Sequence, residues 1–204
     1  MPRPRLVPHH TGMSASPHDW TRLPADLPAP VDDGAADHLP GRRLPEVALA
    51  ATDGSQVRLD TASHRTVVYA YPRTGRPDEP SLVEDWDLIP GARGCTPESC
   101  GFRDHHRELA AAGAAVYGLS TQDTAYQQEV AARLALPFPL LSDRDLRLTT
   151  ALALPTFEVA GQVLLRRLTM LVRDGSIERV WYPVFPPDTH AAEVLAWLLA
   201  NPVR

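Results

Sequence analysis

The sequence contains no lysine. All 20 of its basic residues are arginine, which excludes Schiff-base chemistry and the lysine-bearing phosphate loop. With 25 acidic residues the formal net charge is −5, and no stretch is strongly basic. That excludes non-specific nucleic-acid binding, which needs clustered cations to displace counterions. No apolar run approaches the roughly 20 residues that cross a bilayer, so no membrane partner is expected. The N-terminus, Met1-Pro-Arg-Pro-Arg-Leu-Val-Pro-His-His10, carries charge without the apolar centre of a secretory signal. A cytoplasmic location is the expectation. Cysteine is scarce as well, limited to Cys95 and Cys100. A bridge between them closes too short a loop to restrain the unfolded chain much. Two thiols that close point instead to redox or metal chemistry.

The chain has 204 residues, of which 44% are hydrophobic and 22% charged. This suits one packed domain with a tail. Residues 1–43 are rich in proline (Pro2, Pro4, Pro8, Pro17, Pro24, Pro28, Pro30, Pro40), with Ser, Gly, Asp and His between. The expectation is a largely extended or disordered arm, with Trp20 and Leu23 as its anchors. Residues 44–204 then form the domain. Asp53-Gly54 is a hairpin signal between Val47–Leu49 and Val57–Leu59. Thr66–Tyr71, Ala114–Leu119 and Leu168–Val172 read as buried strands, and Ile177–Tyr182 follows the last across an Asp174-Gly175 turn. Helical patterns cover Thr96–Ala112, with Phe102, His106 and Leu109 on one face, Thr124–Leu136 and Thr189–Ala200. The predicted class is α/β, a mixed central β-sheet flanked by helices, with an N-terminal β-hairpin.

The informative segment runs from Pro90 to Asp104, Pro-Gly-Ala-Arg-Gly-Cys-Thr-Pro-Glu-Ser-Cys-Gly-Phe-Arg-Asp. Thr96 reads as an N-cap, Pro97 suits a first helical turn, and Glu98 favours the positive end of the dipole. Cys95 then precedes a helix N-terminus, where amide donors lower a thiol pKa, and Arg93 adds positive charge. Cys100 follows inside the same helix. Five helical residues rise about 7.5 Å, whereas a disulfide wants Cα atoms roughly 4.4–6.8 Å apart. Joining the two sulfurs therefore requires the first turn to unwind. A cycle follows in which Cys95 attacks an oxidant, becomes a sulfenic acid and condenses with Cys100. A reductant reopens the bond by exchange. Two other readings stay open: a zinc site with His105 and His106, against which stand the spacing and the apolar helix face of His106, and a pair of inert buried thiols.

These residues resemble the peroxiredoxins, and within them the bacterioferritin-comigratory, or Q-type, branch. The resemblance rests on Tyr71-Pro72, Gly94–Asp104, Gly118-Leu-Ser-Thr121, Phe138–Asp143 and Arg167–Gly175, in family order and covering about residues 44–200. It implies a thioredoxin-like fold and thiol-dependent reduction of hydrogen peroxide or organic hydroperoxides, with no bound cofactor and no metal. Thioredoxin or a similar dithiol protein would be the reductant, and the chain a monomer or homodimer. It implies a peroxidatic Cys95, a resolving Cys100 and an orienting Arg167, with Arg166 as register rival because alternation puts only one of them on the active face. Pro72, Arg93 and Thr96 are expected around the substrate. The family's Pro and Thr or Ser, seven and three positions before the peroxidatic Cys, are Leu88 and Ala92 here. The stretch after Tyr71-Pro72 is also longer than the family pattern. This insertion, at about 73–90, reads as a lid, a dimer contact or a solvated loop, and Thr74 or Thr96 is a candidate for the missing hydroxyl. Two other functions remain open: a specialised thiol/disulfide oxidoreductase for a metabolite or partner protein, and a non-catalytic binding module.

Overall fold

Strand β3, Arg65–Ala70, is the axis of the molecule. It pairs in parallel with β4, Ala114–Ser120, and antiparallel with β8, Leu168–Arg173. Its β-branched and aromatic residues suit a pleated surface buried on both faces, and all six are buried. Alternation then sorts the core: Val67, Tyr69 and Tyr71 enter one layer, Val68 and Ala70 the other. The computed structural model describes residues 21–203. Trp20 and the His9-His10 pair lie outside the described residues.

The hairpin β1, Ala48–Ala51, and β2, Gln56–Arg58, has Leu49 opposite Val57. It joins the sheet through β5, Leu140–Ser142, and β9, Ser176–Trp181, closes the other edge. The strand order is β2-β1-β5-β4-β3-β8-β9, the mixed α/β architecture expected. The strands β6, Thr156–Val159, and β7, Gln162–Leu165, form a separate two-stranded ribbon. One sheet face carries α1, Cys95–Asp104, α2, His106–Ala111, α3, Thr124–Arg133, and α5, His190–Ala200. The opposite face is covered by α4, Arg147–Leu152, together with Ala36 and Leu39.

Several expectations need correction. The helix predicted over Thr96–Ala112 is two helices that meet at His105, whose backbone leaves the helical region (φ −92°, ψ 4°). The arm has no helix or strand among residues 21–43, but its end is packed. Leu39 is buried, Tyr182 donates its hydroxyl to Asp33 at 2.8 Å, and backbone bonds join Gly41 and Arg42 to Ile177. The expected boundary at residue 44 therefore falls inside ordered structure. The insertion turns through a short 3-10 segment, Trp86–Leu88, and buries Trp86 with Ala92 and Leu164, packed about by Leu82, Ile89 and Phe157. It thus rests on the β6–β7 ribbon.

Candidate active site

Cys95 is the first residue of α1, two positions further into the helix than the sequence suggested. The N-cap is Gly94 and not Thr96, because the chain enters the helix through a left-handed residue (φ 107°) that glycine adopts without strain. No side chain caps this end, and the Gly94 carbonyl accepts the first helical bond, from the Glu98 amide at 3.0 Å. Thr96 is instead buried in the first turn. Gly94 is required on a second count. A Cβ there would lie 2.4 Å from Pro187 Cγ and 2.9 Å from Leu23 Cδ2.

Cys95 is 3% exposed, and its sulfur is met by a guanidinium from the residue before β8. Arg167 Nη2 lies 3.1 Å from Sγ, and the same nitrogen faces the carbonyls of Gly91, Ala92 and Arg93 at 3.3, 3.4 and 3.2 Å. Its Nη1 donates to Glu98 Oε2 in a short ion pair. Arg167 and Glu98 are both fully enclosed, with side chains 1% and 0% exposed. A charge at such depth is tolerated only when paired and hydrogen-bonded, and each of these groups supplies the other's partner. Arg166 points elsewhere, donating through Nε to Thr156 O at 3.2 Å.

The electrostatics correct one expectation. Burial pushes the Cys95 thiol up from its ordinary value. Arg167 pulls it down, Glu98 pushes it up again, and the Arg73 backbone amide favours the charged form. The net direction is upward, because the helix terminus was expected to act on a sulfur near solvent and here it acts on one shut away from it. Burial likewise pushes the Glu98 carboxyl up to about 7 against the pull of Arg167. In the resting protein the sulfhydryl lies 3.6 Å from the Ala92 carbonyl, the acceptor available to a neutral thiol.

The other expected residues are placed as follows. Pro72 is buried at the end of β3, where its carbonyl accepts from Ser120 Oγ at 3.3 Å. Arg93 lends its carbonyl to Arg167, while its guanidinium lies 3.6 Å from Asp87 of the insertion. Thr74 uses its hydroxyl and amide on Gln122 Oε1, at 3.1 and 2.9 Å, in place of the sulfur. Cys100 is half-buried on the same intact helix, and both cysteines are free thiols. Glu98 was read from the sequence as a dipole partner only; its i, i+3 spacing from Cys95 was the available signal that both share a helix face. His190 gave no signal, yet it is buried under α1, 2.9 Å from Thr169 Oγ1 and edge-on to Phe102. Among the described residues no group of three His, Cys, Asp or Glu is gathered as a metal site. Nor is any helix among them long and apolar enough to cross a membrane.

A shallow recess lies beside this constellation, lined by Pro30, Pro90, Phe157, Arg166, Arg167 and Tyr182 among others. A buried cysteine at a helix start, a guanidinium on its sulfur and a carboxylate behind the guanidinium form a recognisable set, and the redoxin family model matches residues 39–195. The chain belongs to the redoxin family. Among its relatives, the chloroplastic peroxiredoxin Q of Oryza sativa subsp. japonica is 30% identical over 156 residues, 76% of this chain. This redoxin spans 64% of the length of that protein. A peroxiredoxin bcp of Coxiella burnetii is 29% identical over 163 residues, covering 78% of this chain and 97% of the relative. The crystal structure of peroxidoxin BcpB from Mycobacterium tuberculosis superposes with a TM-score of 0.65 at 25% identity, covering 81% of this redoxin and 99% of that chain. The Xanthomonas campestris bacterioferritin comigratory protein, studied for alkyl peroxide reduction, gives 0.61 at 25% identity over 86% and 99%. The similarity to the Q-type branch that the motifs carried is thus found again in sequence and fold, over 76% to 86% of this chain, and the fold is thioredoxin-like.

Proposed function

We propose that this redoxin is a thiol-dependent peroxidase that reduces hydrogen peroxide or organic hydroperoxides. The observation that supports it most is the buried Arg167 guanidinium on the sulfur of the buried Cys95. Peroxide reduction is displacement at oxygen. The Cys95 thiolate attacks the terminal oxygen along the O–O axis, the O–O bond breaks, and the leaving oxygen departs as water or an alcohol once protonated. Arg167 stabilises both the thiolate and the charge that develops on the departing oxygen, in a site where water does not screen it. The sulfur is left as a sulfenic acid. Attack by the Cys100 thiolate on that sulfur forms the disulfide and releases water. Thioredoxin or a similar dithiol protein then returns both thiols by exchange, becoming oxidised itself. The chain needs no bound cofactor for any of these steps, acts as a monomer or homodimer, and works in the cytoplasm.

The test uses reduced protein and one equivalent of hydrogen peroxide, quenched within seconds. Loss of both thiols with a mass decrease of about two daltons is expected. Cys95→Ser abolishes the product, while Cys100→Ser stops at the sulfenic acid. Survival of both wild-type thiols for minutes would sink the reading. One observation favours a second reading, a thiol/disulfide oxidoreductase for a specific metabolite or partner: Ala92 stands where the family carries a hydroxyl, and the Thr74 hydroxyl is bound to Gln122. It wins if peroxide oxidises Cys95 no faster than a free thiol while a defined disulfide turns over.

A further inference from the structure

Formation of a Cys95–Cys100 disulfide requires the first turn of α1 to open, since the intact helix holds the two residues beyond disulfide reach. The segment that must move is the turn at residues 91–94 with the helix start. Part of the chain outside the family match, which begins at residue 39, lies on this segment. Leu23 is packed on Gly94, its Cδ2 2.9 Å from where a Cβ would stand, and Pro30 approaches Gly91, with Cβ and Cγ 3.6 Å from the corresponding point. Three residues beyond Pro30, Asp33 is tied to the Tyr182 hydroxyl at 2.8 Å. The arm then continues into the core through Ala36 and Leu39. It is therefore anchored at one end to the sheet and laid at the other across the part of the site that has to unfold.

We infer that residues 23–33 are a strap that holds the start of α1 closed and so controls the resolving step; the redox half of this inference rests on the peroxidase reading. The strap leaves the reaction of Cys95 with peroxide untouched, because that step uses the closed helix. It slows the next step, in which Cys95–SOH and Cys100–SH give the disulfide and water, by adding its own contacts to what must break. The sulfenic acid lives longer as a result. A second hydroperoxide can then oxidise it to the sulfinic acid, itself being reduced to an alcohol or water. A longer-lived sulfenic acid also has time to be passed to the thiol of a partner protein.

The experiment uses the full chain with Leu23→Ala and Asp33→Ala together, neither residue belonging to the reacting constellation. Amide hydrogen exchange across residues 95–104 of the reduced protein is measured first, since it reports the opening without any redox chemistry. Rapid-quench mass spectrometry then gives the rates of sulfenic acid and disulfide formation, and the sulfinic acid accumulated at high peroxide. Exchange and the disulfide step are expected to accelerate by roughly fourfold to fifteenfold, the factor that one or two buried methylene groups contribute. The first oxidation should keep its rate, and sulfinic acid should fall. Unchanged exchange in α1, or faster exchange with an unchanged disulfide step, overturns the strap. So does acceleration of the first oxidation alone, which would make the arm a barrier to substrate. If the wild-type protein forms no sulfenic acid at all, the peroxidase reading fails, and the exchange measurement still decides whether the arm holds the helix.

Discussion

The Arg167 guanidinium serves two structures at once. It faces the Cys95 sulfur, and through the carbonyls of Gly91, Ala92 and Arg93 it also fastens the turn that leads into α1. The planar fork places Nη2 on the sulfur and these carbonyls while Nη1 holds Glu98, a reach that the compact point charge of an ammonium does not reproduce. Arg167→Lys should therefore lower the second-order rate of Cys95 oxidation by roughly 10²–10³, the range seen when one transition-state donor is removed. Arg166→Lys, whose parent donates to the Thr156 carbonyl and not to the sulfur, should leave that rate little changed. Equal losses in a stopped-flow comparison of the two variants would remove Arg167 from its assigned role. The raised thiol leads to a related expectation. Since the thiolate is the nucleophile, and burial holds the sulfur above its ordinary pKa, alkylation of Cys95 by iodoacetamide should keep rising with pH beyond neutrality. A plateau reached below about pH 7 would show that Arg167 and the helix terminus outweigh burial, the outcome expected of a thiol with a depressed pKa.

At the scale of the element, α1 is held from below by aromatic packing. Phe102 is fully buried and stacks on Tyr69 with ring centroids 4.4 Å apart, while the Tyr69 hydroxyl donates to Ser99 Oγ at 3.1 Å. The close approach of Tyr69 to β4 depends on Gly118, where a Cβ would lie 2.8 Å from the tyrosine ring. Phe102→Ala should cost about 3–5 kcal/mol of stability, seen as a lowered denaturation midpoint; a loss below about 1 kcal/mol would mean that the helix is seated elsewhere. The hydrophobic runs made β3, β4, β8 and β9 legible, because a buried strand of Val, Leu, Ile and Tyr has few rival readings. The missed elements lacked such signals. Strand β5 has three residues, and α4 begins after a left-handed Leu146, with its first amides, Leu148 and Thr149, capped by the more distant Asp143 carboxylate instead of by an adjacent N-cap side chain. The β6–β7 ribbon turns through Ala160 and Gly161, both at positive φ (50° and 71°), where Asn-Gly would have announced the hairpin. The cysteine pair and Arg167 were readable as motifs. The contact between Arg167 and Glu98, 69 positions apart, was not, because only the parallel and antiparallel pairings of β3 bring them together.

Across the whole molecule, the candidate active site is built into the wall of the core. Cys95 belongs to the same apolar cluster as Tyr69, Tyr71, Phe102 and Trp181, so the chemistry of the site and the stability of the fold are coupled through burial. Glu98 makes that coupling measurable. In the unfolded chain its carboxyl ionises near its ordinary value of 4.5; in the fold it is pushed up to about 7. Between those limits the native state binds the proton more tightly than the unfolded state. Its contribution to stability is therefore fully present below about pH 4.5 and is lost as pH rises through about 7. Glu98→Gln removes this titration while keeping the shape of the side chain. Wild type should lose stability relative to the variant as pH is raised from about 5 to about 8, with the change centred between the two ionisations. Urea midpoints taken at unit steps of pH on both proteins provide the check. A gap that stays constant would mean Glu98 titrates alike in both states. A gap that moves the other way would mean the ion pair with Arg167 holds the carboxylate charged, and that the buried pair, once formed, more than offsets the desolvation it requires.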